Sequence, residues 1–376
     1  MPRAGRAYAG TRNSDFGPHD RSNVSALSPW IRRRLLLESE VARAAHARHG
    51  AAAEKFVAEV FWRTYWKGWL ELRPGFLAHF DRERIAARTA LTGNSGLRRA
   101  FEQAAAGATG IACFDAWVEE LVTTGWLHNH ARMWFASIWI FTLRLPWQLG
   151  ADFFFKHLLD ADAASNTLSW RWVAGLHTPG KHYVARASNI AQNSGGRFAA
   201  VRGLAGDPQP LPMDDAPRQA QPLRPAPALP RGPVGLLLHD DDVAALGLAP
   251  DLEVTRIASL DVPAPAAAGS PAARFRAGAL SEGLVLAAAG RGAPADGMVD
   301  ADGLLVWARG QAVVAVPEAP QGLTAWALDR LEPALAAQGT RLVRLRRSLD
   351  AAAWPQARAG FFGFKAAIPQ LLAMPD

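Results

Sequence analysis

The sequence is poor in cysteine and has no long apolar segment that is free of charged groups. Cys113 is the single cysteine in 376 residues, so the chain can form neither an intrachain disulfide nor a cysteine-cluster metal site. The most apolar long stretch, residues 126–145, contains Asn129, Arg132 and Arg144 and is too polar for a lipid-facing span. The N-terminus lacks the apolar core of a signal peptide, and we therefore expect a cytoplasmic protein.

Positive charge and tryptophan are concentrated in one half of the chain. Residues 1–200 hold 25 Lys and Arg against 16 Asp and Glu, whereas the remainder holds 16 against 18. Eleven of the 14 tryptophans also lie in residues 1–200. A basic, tryptophan-rich half is typical of a nucleic-acid surface with stacking platforms. An arginine-rich composition with tryptophans buried in a helical core is the alternative, and composition alone favours it.

The pattern of apolar residues predicts two domains joined by a linker. Residues 1–205 have helical periodicity, with ends indicated by Gly50 and Pro74. Residues 206–233 contain nine prolines and predict a semi-extended linker. Residues 234–376 alternate strand-like and helical segments, which predicts a small α/β domain with a mainly parallel sheet. The strand-like runs read VGLLLH, LEVTRIASL, GLLVWARG, AVVAV and TRLVRLR.

Common nucleotide and metal motifs are not found. The α/β half has no glycine-rich dinucleotide or Walker-type loop. His128 and His130 are two residues apart and would not share a helix face, so we expect no zinc pair. The run HDDD at 239–242 follows a strand-like segment, and we expect it to cap the next helix and not to bind a metal.

One helical segment carries polar and aromatic residues along a single face. In EVFWRTYW, Glu59, Trp62, Arg63 and Trp66 are spaced i, i+3, i+4 and i+7. A glutamate, an arginine and two indoles would form a suitable wall for a flat ligand with polar edges. A salt-bridged amphipathic helix with buried tryptophans explains this segment equally well.

Two later segments add further polar groups. In TGWLHNHARM, Asn129, Arg132 and Met133 share a helix face and offer an amide, a fixed positive charge and a polarizable sulfur. In LLDADAASNTLSWRW, Asp160 and Asp162 lie two residues apart. Carboxylates in this position also occur at ordinary helix N-termini, so each segment taken alone is weak evidence.

Taken together and in order, these motifs resemble the FAD-binding domain of the photolyase/cryptochrome family. The family's typical runs are TGxPxVDAxxREL, TGWMHNRxRM, DGDxAxN and WxW. The matching runs here are TGIACFDAWVEEL, TGWLHNHARM, DADAASN and WRW, preceded by Tyr8 with TRN, VSALSP and EVFWRTYW. The resemblance covers residues 6–198, and it implies a mainly α domain that binds FAD.

The resemblance also implies which residues contact the cofactor. Ser25 and Ser28 match hydroxyl positions of a phosphate-binding turn, in which Val24 and Ala26 replace the usual threonine and arginine. Arg132 matches the arginine that pairs with the first of two acids beside the flavin. The full set of matched cofactor positions is Tyr8, Ser25, Leu27, Ser28, Arg132, Asp160, Asp162 and Asn166.

A second matched set corresponds to the pocket for a DNA lesion. Enzymes of the family that split cyclobutane pyrimidine dimers build this pocket from a glutamate, two tryptophans, an asparagine and a methionine. A flipped dimer stacks on aromatic faces and presents its carbonyl edges to a carboxyl and an amide. The matching positions, which we expect to be catalytic, are Glu59, Trp62, Asn129, Met133 and Trp172. Asn129 replaces the histidine of the (6-4) photoproduct class, which favours the dimer class.

Departures from the family pattern leave three functional hypotheses open. The family's α/β antenna domain comes first, whereas here the α/β segment comes last, and a relocated or degenerate version of that domain is one interpretation that the order of segments leaves open. Trp147 and Trp170 match two relay tryptophans for electron transfer, but the outermost has no match. The hypotheses are a light-driven lyase acting on pyrimidine dimers in DNA, a cryptochrome-like blue-light or redox sensor, and a non-catalytic flavin-binding or interaction protein. The protein partner of the C-terminal domain is left open.

Overall fold

The first half of the chain folds into helices, as the apolar periodicity predicts. A computed structural model describes residues 2–245 and 247–374. The helices of the first half are α1 (Arg6–Thr11), α2 (Ser28–Arg32), α3 (Glu38–His49), α4 (Glu54–Glu71), α5 (Phe76–Gly93), α6 (Ser95–Ala105), α7 (Ala112–Thr124), α8 (Asn129–Ser137), α9 (Trp147–His157), α10 (Ala163–Ala174) and α11 (Ala187–Asn193). A π-helical turn over Ile138–Thr142 extends α8.

Glycines end the helices that lead into two of the predicted motifs. Gly125 follows α7 with φ 69° and Gly175 follows α10 with φ 82°, both in the left-handed region that ends helices. A Cβ at Gly125 would lie 2.8 Å from the side chain of Leu159, so the loop before Asp160 packs directly on this turn. The turn therefore brings the start of α8 close to the segment that carries the two aspartates.

The second half contains a five-stranded sheet whose strands are all parallel. Its elements are β1 (Pro233–His239), β2 (Glu253–Leu260), α12 (Pro271–Arg291), β3 (Ala295–Val299), α13 (Ala301–Trp307), β4 (Val313–Pro317), α14 (Leu323–Ala337), β5 (Arg341–Leu345), α15 (Ser348–Ala353), α16 (Phe361–Lys365) and α17 (Ile368–Ala373). The strand order is β3-β2-β1-β4-β5, and every pair is parallel. The predicted fold class, a mainly α domain followed by a small α/β unit with a parallel sheet, is confirmed.

One predicted strand is wrong. The run GLLVWARG belongs to helix α13, and the strand of this region is the preceding segment Ala295–Val299. The side chain of Asp300 accepts a hydrogen bond from the Gly303 amide at 2.8 Å and caps the helix. Leu304 and Trp307, three residues apart, are buried on one face. The cap and this spacing outweigh the β-propensity of the run.

The interpretation of HDDD as a helix cap is also wrong. The next helix, α12, begins at Pro271 and is capped by Ser270. The aspartates at 240–242 instead meet the arginines at 32–34, which follow the Ser25–Ser28 turn. For example, the Nε atom of Arg33 donates to the carboxylate of Asp240 at 2.8 Å.

Arg34 is the arginine at the centre of a buried ionic network. Its guanidinium lies 2.9 Å from Asp242 and 2.8 Å from both oxygens of Asp350, and it is 3% exposed. Glu38 lies 3.6 Å from Arg34, and Arg347 also contacts the carboxylate of Asp242, at 2.6 Å. Arg34 also has φ 58°, a left-handed conformation that costs energy for a non-glycine residue. This buried ionic network therefore fixes a strained backbone between the helices and the sheet.

The last helices of the chain pack against the first half. Phe361, Phe364 and Ile368 belong to the same hydrophobic core as α4. The Tyr65 hydroxyl donates to the carbonyl of Ala359 at 2.8 Å. The core of the helical half is thus completed by segments that follow the sheet.

Two further features concern the linker and membranes. Residues 206–231 contain no helix or strand, in keeping with their proline content. In the ranges 2–245 and 247–374, no helix is both long and apolar enough to cross a lipid bilayer.

Replacing Arg34 with Met should lower the free energy of unfolding by about 3–5 kcal/mol, because Asp350 and Glu38 would lose the cation that compensates their burial. Urea unfolding followed by circular dichroism measures this change. Arg98→Met is the control, since Arg98 is exposed on α6. Equal stability of the two variants would contradict a structural role for the buried network.

Candidate functional site

Asp160 is the point where two helices of the site converge. Its two oxygens accept hydrogen bonds from Arg132 of α8 at 3.0 and 3.1 Å, and Arg63 of α4 lies 3.7 Å away. Burial by itself would raise the pKa of Asp160, but Arg132 and Arg63, with a hydrogen bond from Ser28, hold it below its ordinary value. The carboxylate is therefore ionised and joins α4, α8 and the segment before α10.

Asp162 combines a structural role with a charged environment. Its carboxylate accepts a hydrogen bond from the Ser165 amide at 2.7 Å and caps α10. The Asp162 side chain is buried, with Arg63 at 3.6 Å and Lys67 at 3.9 Å. Burial opposes ionisation, but Lys67, Arg63 and Arg32 together lower the pKa of Asp162 to about 2.

Three buried donors around Asp162 lack a hydrogen-bond acceptor. They are the Nη1 atom of Arg63, the Nζ atom of Lys67 and the hydroxyl of Ser165. Buried donors without an acceptor are costly, and their presence indicates room for an acceptor-rich ligand. A cavity of about 50 Å³ adjoins Lys67 and Asp162, and it is too small for a dinucleotide by itself.

The other predicted cofactor residues lie in α1, in the turn that leads into α2 and in α10. The Ser25 hydroxyl accepts a hydrogen bond from the Leu27 amide at 3.4 Å, and Ala26 between them has φ 54°. The ring of Tyr8 packs edge-on against Phe56 of α4 at 5.2 Å. Burial and the carboxylate of Glu59 raise the pKa of the Tyr8 hydroxyl, so Tyr8 is a neutral phenol at physiological pH.

Asn166 lies on the first turn of α10. Its amide nitrogen donates to the carbonyl of Ala151 in α9 at 2.8 Å. This contact fixes the orientation of the side chain and leaves its carbonyl oxygen as the acceptor for another group.

The predicted lesion residues lie on three helices, one of which contacts the other two. Glu59 and Trp62 are on α4, Asn129 and Met133 are on α8, and α10 carries Trp172 and packs against both helices. The Asn129 amide lies 4.0 Å from the sulfur of Met133. Trp62 is followed in sequence by Arg63, and Met133 is preceded by Arg132. Both arginines contact Asp160, so one carboxylate aligns the two helices.

The remaining lesion candidates already have partners. The carboxylate of Glu59 forms an ion pair with Arg12, which directly follows α1. The ring of Trp62 stacks on Phe361 of α16, with 3.7 Å between centroids and 12° between planes. The ring of Trp172 lies against Tyr183 at 5.8 Å and 27°.

The relay candidates lie in the aromatic core of the helical half. Trp170 and Trp147 are both buried, and Trp147 stacks on Phe80 with centroids 5.1 Å apart. Trp139, also buried, lies 6.2 Å from Trp170, and its indole nitrogen donates to the carbonyl of Pro146 beside Trp147. Trp139 is thus a third indole close to Trp170 and to the segment that carries Trp147, the two relay candidates of the sequence analysis.

Lys67 and Arg32 are site residues that the sequence reasoning missed, and Arg63 was recognised only as part of a helix face. Arg63 and Lys67 are four residues apart on α4, so their shared face was visible in the sequence. The sequence does not show that both side chains meet Asp162, because this residue lies about one hundred residues away.

Comparisons with known proteins agree with the motifs. A family model described as the FAD binding domain of DNA photolyase matches residues 56–196. The deoxyribodipyrimidine photo-lyase of Streptomyces griseus is 34% identical over 160 residues, which are 41% of this chain and 33% of that protein. Cryptochrome-1 of Arabidopsis thaliana is 42% identical over 69 residues, which are 18% of this chain and 10% of that protein.

The matches cover only part of each relative. The chain spans about a third of the length of the photo-lyases it matches, for example 33% and 34% for two bacterial enzymes. A crystal structure of a class III photolyase from Agrobacterium tumefaciens is 25% identical, covers 51% of this chain and 40% of that chain, and has a TM-score of 0.41.

The depressed pKa of Asp162 predicts a specific acid sensitivity. A carboxylate with a folded-state pKa of about 2 stabilises the fold above its unfolded-state value near 3.8, and this contribution is lost as the pH falls from there towards 2. The stability difference between the unmodified protein and Asp162→Asn should therefore shrink by about 1 kcal/mol between pH 6 and pH 3.

Urea unfolding at pH 6, 4.5 and 3 measures this difference. Asp251→Asn, which alters an exposed aspartate, is measured in parallel as the control for the loss of one carboxylate. A difference for Asp162→Asn that is constant across these pH values would show that its carboxylate is not held ionised by Lys67 and Arg63.

Proposed function

Because its FAD-binding domain places this chain in the photolyase/cryptochrome family, we propose that it is a light-driven lyase that splits cyclobutane pyrimidine dimers in DNA. The proposal joins two features of the helical half. One is the set of buried charges around Asp160 and Asp162, and the other is the set of five lesion candidates on the adjoining helices. Each feature has a distinct chemical task.

FAD is the cofactor of this domain. The donors of Arg63, Lys67 and Ser165 that lack a hydrogen-bond acceptor suit a ligand with many acceptor atoms. The phosphates, the ribose and the flavin edge of FAD provide such atoms. The remaining matched positions would surround it, with Ser25 and Ser28 at the phosphates. When reduced and excited by light, bound FAD supplies an electron for the repair of the lesion.

The residues of the chain would prepare this chemistry electrostatically. Arg132 and Arg63 would place fixed positive charge beside the cofactor, because Asp160 keeps both guanidinium groups oriented. Preorganised charges of this kind stabilise negative charge that develops during a reaction, without a cost for reorganising solvent. Trp170, Trp139 and Trp147 would serve as the electron relay to the flavin.

The lesion pocket would recognise an extruded dimer by stacking and by its polar edge. Trp62 and Trp172 are half-buried and offer aromatic surface, while Glu59 and Asn129 offer a carboxyl and an amide. Met133 would fill the apolar side between them. The observation that carries the proposal is the convergence of α4 and α8 on Asp160, because it joins the cofactor positions to the lesion positions.

A specific observation favours the second candidate, a cryptochrome-like blue-light or redox sensor. One face of Trp62 is covered by Phe361, and Trp172 lies against Tyr183. A sensor needs no open stacking faces, and the packing of α16 against α4 offers a route from the flavin domain to the sheet. A non-catalytic flavin-binding or interaction protein would keep this packing without either activity.

Replacing Asp160 with Ala should remove most of the bound flavin. The change leaves Arg132 and Arg63 without their shared carboxylate, and repulsion between them would distort the cofactor positions. The ratio of visible flavin absorbance to protein absorbance measures occupancy.

Asp115→Ala is the matched control for this change. Asp115 of α7 accepts hydrogen bonds from Thr109 and Gly110 at 2.7–3.0 Å, so its loss also removes a half-buried carboxylate with several contacts. This variant should keep its flavin. Equal occupancy in the two variants would refute the assignment of Asp160 to the cofactor.

The decisive test of the proposed function compares repair and binding of dimer-bearing DNA. The reduced protein should restore dimers to monomers in light and not in darkness. Trp62→Ala should weaken binding of dimer-bearing DNA by about 1–3 kcal/mol, the usual contribution of one base–aromatic stack. A fluorescence anisotropy titration at two salt concentrations separates this loss from the salt-dependent phosphate contacts.

Trp30→Ala provides the control, because Trp30 is an exposed indole that packs on Phe275 away from the lesion candidates. It should bind dimer-bearing DNA like the unmodified protein. Equal affinity of the unmodified protein for damaged and undamaged DNA, with no repair in light, would favour the sensor.

A further inference from the structure

Trp62 is held by a ring from the far end of the chain. Phe361 lies face to face with the indole at 3.7 Å, and Tyr65 meets the same two rings edge-on at 5.5 Å. Phe361 is only 6% exposed and belongs to the main hydrophobic core, together with Phe364. One face of Trp62 is therefore closed by a ring that is itself fixed.

The segment that carries Phe361 is tied to α4 on both sides. Before it, the Tyr65 hydroxyl donates to the carbonyl of Ala359, and Arg73 donates to the carbonyl of Arg358, each at 2.8 Å. After it, Lys365 forms an ion pair with Glu54 at 2.6 Å. These contacts span the length of α4 and hold α16 in one place along it.

We propose that Phe361 is a positioning residue for Trp62: it fixes the indole plane so that an extruded pyrimidine stacks on the opposite face. This inference rests on the proposed function and adds the C-terminal segment to the wall of the lesion pocket. Phe361 acts through Trp62 and does not itself touch the DNA.

The burial of Phe361 favours a fixed support over a movable plug. A ring that left this position to admit a base would expose its own face and leave a cavity beside Tyr65 and Phe364. An aromatic ring stacked on Trp62 instead restricts the rotation of the indole, and this lowers the entropy that is lost when a base binds. The support therefore raises affinity for the lesion.

The test measures the affinity of Phe361 variants for dimer-bearing and undamaged DNA. Phe361→Leu, which keeps most of the apolar volume but removes the ring, should bind dimer-bearing DNA about three- to tenfold more weakly, the range expected for one aromatic pair. Phe361→Tyr should restore the affinity. Affinity for undamaged DNA should be unchanged in all variants.

Phe362→Leu is the matched control, because Phe362 is the next residue of the same helix and is 86% exposed. It should bind like the unmodified protein. Flavin occupancy and the thermal unfolding midpoint are measured for each variant to check that it is folded. If Phe361→Leu unfolds, Phe361→Tyr still tests the proposal. Weakened lesion binding by this tyrosine variant, which keeps the aromatic ring, would contradict it.

A double-mutant cycle shows whether Phe361 acts through the indole. In the Trp62→Ala background, Phe361→Leu should have no further effect on lesion affinity. An equal loss in both backgrounds would overturn the proposal, as would unchanged lesion affinity in Phe361→Leu. No preference of the unmodified protein for damaged DNA would instead overturn the proposed function itself, and this inference with it.

Discussion

The buried contact between Arg34 and the aspartates of the sheet side is the constraint on which the rest of the structure depends. Arg34 lies two residues after the end of α2 and has a left-handed backbone that its contacts with Asp242 and Asp350 must stabilise. Because α2 begins at Ser28, the same contact fixes the end of the turn that carries the hydroxyl groups. The sheet half thus helps to hold the cofactor region in place.

A second carboxylate pair extends this order into the site. Asp160 joins α4 and α8 through Arg63 and Arg132. Asp162 caps α10 and forms an ion pair with Lys67. Neither carboxylate is tolerable in a buried position without these cations, and the cations are equally dependent on the carboxylates. The geometry of three helices is therefore set by electrostatic compensation as much as by apolar packing.

The sequence predicted what depends on local pattern and on ordered motifs. Helical periodicity gave the first half, and the Arg132–Asp160 pair followed from the family resemblance. The packing of α16 on α4 was not predictable, because Phe361 and Trp62 are about three hundred residues apart and no spacing relates them. The strand expected at GLLVWARG failed because Asp300 caps a helix there, a local signal that its β-branched and aromatic residues concealed.

Burial also reduces the basic and aromatic surface that the composition of the helical half suggests. The excess of positive charge in residues 1–200 includes the arginines at 32–34, whose charges are compensated by the aspartates at 240–242 inside the protein. Of the eleven tryptophans there, only Trp30, Trp62 and Trp172 are not buried. The basic surface is consequently smaller than the count of charges suggests, and the stacking surface is reduced to a few indoles. Under the proposed function, recognition of dimer-bearing DNA would therefore depend on how those indoles are held, and for Trp62 that support comes from the end of the chain.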